Sequence, residues 1–425
     1  MSEFKSEKIA SASSGTGLNS TPSANRLHIS FFGRRNAGKS SAVNALTGQK
    51  VSIVSDVKGT TTDPVSKAME ILPIGPVSII DTAGIDDEGE IGMARIDRSL
   101  RVLAKTDVAI LVTDVTNRFS KYEENLIDQF KKRNTPFILL VNKTDLLQES
   151  DLSGNDGSVK DSFDKKAKAL GCPAVYFSAV TGNGIDELKK AIIEVCGDRK
   201  EKYILGDVLT PNKLVILVTP IDESAPKGRL ILPQVQTIRD ILDSHCMCMT
   251  VQFEQLAYAL SALKEPPFAV ITDSQIFDKV KSVVPGDIYL TSFSILFARF
   301  KGILDTAAKG AFACENLKDG DKVLISEGCT HHRQCNDIGT VRLPAWIEGF
   351  SGKKLEFEFT SGGDFPDDLS RFCLIVHCGG CMLNEKEMEY RMNCAKLQGV
   401  PFTNYGIFIA HMNGILTRCL KIFES

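Results

Sequence analysis

Short, nearly continuous apolar runs alternate along the chain with longer stretches whose apolar positions recur every three or four residues. In the first half the runs are LHISFFG, VSIIDTAG, VAILVTD, FILLVNKTD and AVYFSAV. Such runs mark strands of a parallel sheet covered on both faces, and the amphipathic stretches between them are the crossover helices. This pattern predicts a first α/β unit over residues 27–200. The polar, Gly- and Ser-rich stretch 151–164 reads as a loop within it. After the charged link GDRKEKYILGD a second alternation begins, with KLVILVTPID, CMCMTVQ, FAVITDS and DIYLTSFS as strands and PQVQTIRDILDSH as a helix. A third set comprises DKVLISEG, KKLEFEFTSG and RFCLIVHCG, with the helix NEKEMEYRMNCAKLQG ending at Gly399, a common helix stop. The expected organisation is a disordered Ser-, Gly-, Asn- and Thr-rich tail (1–26) followed by three α/β units (27–200, 201–300 and 301–425).

Composition narrows the class. A length of 425 residues suits about three domains. The net charge of −3 gives no support to nucleic-acid binding, and no apolar run approaches the roughly 20 residues of a membrane helix. The opening MSEFKSEKIASASS has charge but no apolar core, so no secretory leader is expected, and Glu3 and Glu7 weigh against an organelle transit segment. None of the 12 cysteines precedes Cys172, and six lie between Cys329 and Cys394. A reducing, cytoplasmic setting with metal-binding or buried thiols is expected.

The segment LHISFFGRRNAGKSSAVNAL carries Gly33, then four residues, then Gly38, Lys39 and Ser40, between a strand and a helix. That context makes it a phosphate loop. Its glycines let the backbone N–H groups of the loop, Asn36 and Ala37 included, turn toward phosphate oxygens, and the helix N-terminus, through Ser41, adds its positive end. Lys39 reaches the terminal phosphates and Ser40 ligates Mg2+. Asp81 of DTAG would hold Mg2+ through water, and the Gly84 N–H would sense the γ-phosphate. NKTD places Asn142, Lys143 and Asp145 at a strand end. The Asp145 carboxylate can accept both guanine N–H donors, which adenine lacks, so GTP is the expected nucleotide. Ser178, Ala179 and Val180 would supply a backbone donor to the guanine O6. Thr61, in VKGTTTDPV, sits where a switch threonine would complete the Mg2+ shell.

A second chemical cluster is LIVHCGGCM, with His377, Cys378 and Cys381, paired with the upstream SEGCTHHRQCND, with Cys329 and His331. Both follow the ends of strand-like runs, and strand ends at one edge of a parallel sheet are close in space. Buried structural cysteines, a tetrahedral zinc site and an iron–sulfur cluster all remain open on the residues alone.

The first unit, through GRRNAGKS, GTTTD, DTAG, NKTD and SAV, resembles the TrmE/Era-like GTPases. Ile85 follows DTAG, where Ras-like enzymes carry a water-orienting glutamine, so hydrolysis should be slow or use another device. The resemblance implies that Asn36 helps bind a K+ ion that takes the place of an arginine finger. Over nearly the whole chain beyond the tail, the G unit combined with C-T-H and a distant H-C-G-G-C resembles the FeFe-hydrogenase maturation GTPase (HydF) family. NKLVILVTPID, SAPKGRLILPQVQTIRDILD and GCTHHRQC add to the likeness. The resemblance implies a 4Fe-4S cluster on Cys329, Cys378 and Cys381. The family's motif histidines fall on His331 and His377. The fourth iron position is weakly or variably held in the family, with Asn336 and Asp337 near enough to Cys329 to be candidates. It further implies a scaffold that holds the diiron precursor and passes it to the apo FeFe-hydrogenase. Two radical-SAM maturases would be partners, and a dimerisation and a tetramerisation domain would make a homodimer or tetramer. A rival expectation is an RNA-associated GTPase of the same group with a zinc-binding C-terminal module.

Overall fold

The computed structural model of the chain describes residues 23–48, 65–82, 99–116, 119–147, 158–197, 202–221, 230–328 and 338–424. Three sheets follow one another along it. The first is built from β1 (Leu27–Phe32), β2 (Val65–Ile71), β3 (Gly75–Asp81), β4 (Val108–Asp114), β5 (Phe137–Asn142) and β6 (Ala174–Tyr176). Their spatial order is β2-β3-β1-β4-β5-β6, parallel except for the β2–β3 pair. β1, β4 and β5 are buried along their whole length, as expected for strands with helices on both faces. Leu27, Ile29 and Phe31 enter one core and Phe32, Leu111 and Phe130 the other.

One strand carries no signal in the sequence, and one local reading changes. β2, sequence VSKAMEI, is an edge strand with mostly exposed or half-exposed positions, so it lacks the apolar run that reveals the central strands. Of the expected loop over 151–164, residues 151–157 lie outside the described residues, and the rest from Val159 on belongs to a helix, Val159–Leu170. The Ser158 hydroxyl caps it by accepting from the Asp161 N–H at 3.1 Å, and Phe163 and Ala167 anchor it in the core. A polar sequence with two well-spaced apolar residues is enough for a surface helix once a cap is present.

The second sheet holds β7 (Leu214–Val218), β8 (Met247–Val251), β9 (Ala269–Thr272) and β10 (Tyr289–Ser292), ordered β10-β9-β7-β8 and all parallel. The third holds β11 (Lys322–Glu327), β12 (Glu356–Ser361), β13 (Leu374–His377) and β14 (Phe402–Asn404), ordered β12-β11-β13-β14 and again all parallel. These two sheets share packing. Phe277, Ile295 and Ala298 lie in one buried cluster with Val323, Leu324 and Ile375, while Ile422 returns to the core of the second sheet beside Val215 and Ile271. Within the third unit, the helix Leu304–Ala311 lies directly on β14. A Cβ at Gly310 would stand 2.1 Å from the Phe402 carbonyl oxygen, so only glycine permits that approach.

The first unit meets the third at the start of the helix Glu385–Leu397. The Asn384 side-chain amide donates to His28 Nδ1 at 3.0 Å and to the Lys105 carbonyl at 2.7 Å, while its oxygen caps the helix by accepting from the Glu387 N–H. Arg101 pairs with Asp364 at 2.9 Å and the Arg133 guanidinium lies over the Tyr390 ring, while Lys202, at the start of the second unit, pairs with Glu385. Among the described residues no helix is long and apolar enough to cross a membrane.

Candidate functional site

β1 and β4 are adjacent in the first sheet, and the connections from β1 and β4 run to opposite sides. The C-terminal end of β1 is therefore a switch point, where an open α/β sheet leaves a crevice for a ligand. The phosphate loop occupies it. Gly33 has φ 146° and Gly38 φ 91°, and a Cβ on Gly33 would stand 2.3 Å from the Val112 carbonyl oxygen. A Cβ on Gly38 would stand 2.1 Å from Asn142 Nδ2, so this glycine admits the side chain that ties the two ends of the site. Asn142 Nδ2 donates to the Ala37 carbonyl at 2.9 Å, and its Oδ1 accepts from the Ala179 N–H at 3.4 Å. One asparagine thus joins the phosphate loop, the NKTD strand end and the SAV loop.

Lys39 is buried at the start of the helix Lys39–Thr47, its amine held by the Gly33 and Arg34 carbonyls at 2.9 and 2.7 Å. Ser41 is exposed on the first turn, and Asn36 holds φ 61° at the loop tip. A cavity of about 370 Å³ beside the loop is lined by Arg34, Asn36, Ala37, Asp114, Glu123 and Lys143. Glu123, which no sequence motif marks, receives the Arg34 guanidinium at 2.9 Å and steadies the loop from the helix Lys121–Lys132. Asp114, equally unmarked, pairs with Lys143 and orients the NKTD lysine.

At the base end, the Ser178 hydroxyl donates to Asp145 Oδ1 at 2.6 Å, which leaves the other carboxylate oxygen free of that bond. Val180 is exposed beside it. At the metal end, the Ser40 hydroxyl donates to Asp81 Oδ2 at 2.5 Å. Asp81 Oδ1 is buried with no hydrogen-bond partner among the described residues. Burial raises the Asp81 carboxyl above its ordinary range, and Ser40, Lys39 and Lys67 offset this only in part. An unpartnered buried oxygen next to a serine hydroxyl fits a hard cation such as Mg2+, which would relieve that penalty. Thr61 and Gly84 lie outside the described residues.

The cysteine loop stands at the corresponding point of the third sheet. β11 and β13 are neighbours, and their onward connections lead to β12 on one side and β14 on the other. Ser326 pairs with His377, and the Cys378 N–H donates to the Ser326 carbonyl at 2.8 Å. Cys378 Sγ then accepts two backbone N–H groups, from Gly328 at 3.1 Å and Gly380 at 3.3 Å. Loss of water holds the Cys378 thiol above its ordinary value, and these two donors offset the rise only in part. Backbone donors aimed at a sulfur favour its thiolate form, the form that ligates metals. Cys381 is partly exposed in the same loop. Cys329 and His331 lie outside the described residues, though Gly328, which immediately precedes Cys329, is the residue touching Cys378 Sγ. Among the described residues no group of three or more metal-ligating side chains comes together. The described part of this centre is the pair Cys378 and Cys381.

His377 is placed differently from the expected ligand. It is fully buried, its Nδ1 donates to the Cys378 carbonyl at 2.8 Å, and its Nε2 accepts from Arg391 at 3.0 Å. Burial and the Arg391 charge push its pKa down to about 3, so the ring is neutral. With both nitrogens engaged inside the protein, His377 braces the loop and offers no lone pair to a metal in this arrangement. Arg391, also fully buried, continues the brace to the Gly362 carbonyl and to Glu387. Nothing in the spacing of Arg391, 14 residues beyond His377 and on a charged helix, signals that role.

Comparison with known proteins matches the units one by one. Residues 28–143 match the family described as a 50S ribosome-binding GTPase. Residues 204–302 match the hydrogen maturase F dimerization domain and residues 305–422 the hydrogen maturase F tetramerization domain. The GTPase Der of Kosmotoga olearia is 34% identical over 168 residues, 38% of this chain and 37% of that protein. The tRNA modification GTPase MnmE of Bacillus mycoides is 33% identical over 170 residues, 40% of this chain and 34% of that protein. The chain thus spans well under half the length of these curated relatives. Among solved structures, the G domain of the T. maritima FeoB iron transporter is 26% identical, with 40% of this chain and 99% of that one covered and a TM-score of 0.31. The fold class is α/β, an N-terminal P-loop GTPase domain followed by two smaller α/β domains.

The raised Asp81 carboxyl generates a prediction with a definite sign. A carboxyl whose folded pKa lies above its unfolded one costs stability once pH exceeds both, so near pH 7 the ionised Asp81 is a burden on the nucleotide-free chain. Asp81→Asn is expected to melt at or above the wild-type temperature without Mg2+ and nucleotide, and to lose the further rise that Mg2+ gives in the presence of GTP. A Mg2+ response equal to that of the wild type would remove Asp81 from the metal site.

Proposed function

The chain belongs to the hydrogen maturase F family, and from that premise we propose that it is a GTPase scaffold that binds a 4Fe-4S cluster, holds the diiron precursor of the FeFe-hydrogenase active site and passes it to the apo-hydrogenase. The reading rests above all on the 3.1 Å contact between the Gly328 N–H and Cys378 Sγ. That contact brings the residue before Cys329 to the CGGC loop across two adjacent strands. Cys329, Cys378 and Cys381 would hold the cluster, which when bound supplies iron with an exchangeable position. His377 and Arg391 hold the loop, Asn336 and Asp337 are the candidates for that position, and His331 is the family's other motif histidine. The cargo is the diiron precursor, delivered with the help of radical-SAM maturases. The dimerization and tetramerization domains make the chain a homo-oligomer, and the exposed edge strand β8 is the place where a second sheet could continue the first in a homodimer.

The rival reading, an RNA-associated GTPase with a zinc module, is disfavoured by the two hydrogen maturase F domains that follow the G unit. One experiment separates them. Protein reconstituted without oxygen should be brown, carry about four iron and four sulfide per chain and give a paramagnetic signal on reduction. Cys378→Ser should lose most of the iron. A colourless protein with one zinc and no signal would sink the cluster reading.

In the G unit, Lys39 and the loop N–H groups bind the phosphates, Ser40 and Asp81 hold Mg2+, Thr61 and Gly84 respond to the γ-phosphate, and Asp145 selects guanine. Hydrolysis is slow, since Ile85 cannot orient water, and is stimulated by K+ through Asn36. Turnover in K+ should exceed that in Na+ severalfold, and Asn36→Ala should erase the difference. Equal turnover in both salts counts against the ion. GTP acts as a switch on partner docking, with a coupling of about 1–3 kcal/mol. Maturase affinity should therefore change roughly 5- to 150-fold between GTP- and GDP-loaded protein, measured by titration calorimetry. Identical affinities refute the switch.

A further inference from the structure

Lys301 follows the helix Phe293–Phe300, outside every motif considered above, yet it is only 4% exposed. Its amine donates to the carbonyls of Gly380 and, at 2.6 Å, Leu383. Those carbonyls flank Cys381, so the lysine grips the cysteine loop on both sides of that thiol. No described carboxylate forms an ion pair with it. Burial pulls its pKa down to about 8, and the charges that pull it back up are, in order, the Cys381 and Cys378 thiolates and then Glu385. Glu385 is itself paired with Lys202.

A buried ammonium is unfavourable unless it faces negative charge. Two neutral carbonyls satisfy its hydrogen bonds without explaining its charge. Thiolates bound to a cluster would explain it. Each cysteine that ligates iron does so without its proton, so a cluster held by this loop places fixed negative charge beside the amine. In a water-poor setting such a cation acts strongly on the cluster, because little solvent screens it.

We propose that Lys301 is a positioning residue for the cluster, its buried cation balancing the thiolate charge and raising the ease of one-electron reduction while its two hydrogen bonds fix the spacing of Cys378 and Cys381. This rests on the cluster reading of the loop. Reduction adds one negative charge to the site, and net charge is one of the factors that set such potentials. Removing the cation therefore makes reduction harder.

The test is a dithionite titration of anaerobically reconstituted protein followed by electron paramagnetic resonance. Lys301→Met removes the charge at similar length, Lys301→Gln removes it while keeping a donor, and Lys301→Arg keeps it. The uncharged variants should show a reduction equilibrium at least about tenfold less favourable, a midpoint about 59 mV more negative for one electron. Lys301→Arg should stay nearer the wild type. If wild-type protein takes up no iron, the cluster reading itself fails, whatever the variants do. If the wild type is loaded and both uncharged variants keep its midpoint, the proposal for Lys301 fails and the cluster reading stands. An Arg variant as low as the Met variant also overturns it. So does loss of the folded state in both uncharged variants, followed by melting of the metal-free chains, since that would leave Lys301 a purely structural role.

Discussion

The parallel pairing of β11 with β13 is the constraint on which the cysteine centre depends. Register fixes Ser326 opposite His377, and the next residue of β13's strand end, Cys378, bonds back to Ser326 through its N–H. That bond turns the Cys378 sulfur toward Gly328, at the end of the neighbouring strand. A slip of one residue would exchange the faces of every side chain on β13 and carry the sulfur away. Val323, Ile325, Ile375 and Val376, all buried, make such a slip costly. The site is thus held by apolar packing along the strands, and the polar loop chemistry is carried on their ends.

The nucleotide site obeys the same geometry with different chemistry. In both sheets the functional loop leaves a central strand where neighbouring connections part to opposite sides. In the first sheet the crevice receives backbone N–H groups and a lysine amine, suited to phosphate. In the third it receives thiols, backbone donors and a buried ammonium. The polarity of each crevice follows from what the loop contributes, since the central strands beneath are buried and largely apolar in both.

This contrast explains what could be read in the linear chain. Central strands such as VAILVTD were visible because burial on both faces demands unbroken apolar runs. The phosphate loop was visible because its glycines, lysine and serine are contiguous. β2 was not, because an exposed edge strand does not need those runs, and β14 was not, because three buried residues are too few to form a pattern. Among the site residues, Asn142 was legible by motif but its bond to Ala37 was not. Lys301 stands just past the helix Phe293–Phe300 and Arg391 on the helix that follows the cysteine loop, and their relation to that loop exists only after the sheets have formed. His377 shows the opposite difficulty: its sequence neighbours suggest a ligand, whereas its bonds to Cys378 and Arg391 assign it to support.

Asn384 gives the assembly of the units a mechanical character. The second and third sheets share a core, so parting them would expose buried apolar surface. The described contacts between the first unit and the third include side-chain hydrogen bonds, a stacked guanidinium and one exposed ion pair, the last worth about 0–1 kcal/mol. Asn384 can release His28 and Lys105 and still cap its own helix through the other end of its amide. Parting this joint would therefore leave intact the cap of the helix that begins beside the thiols, much as a door leaves its frame intact when the latch is lifted.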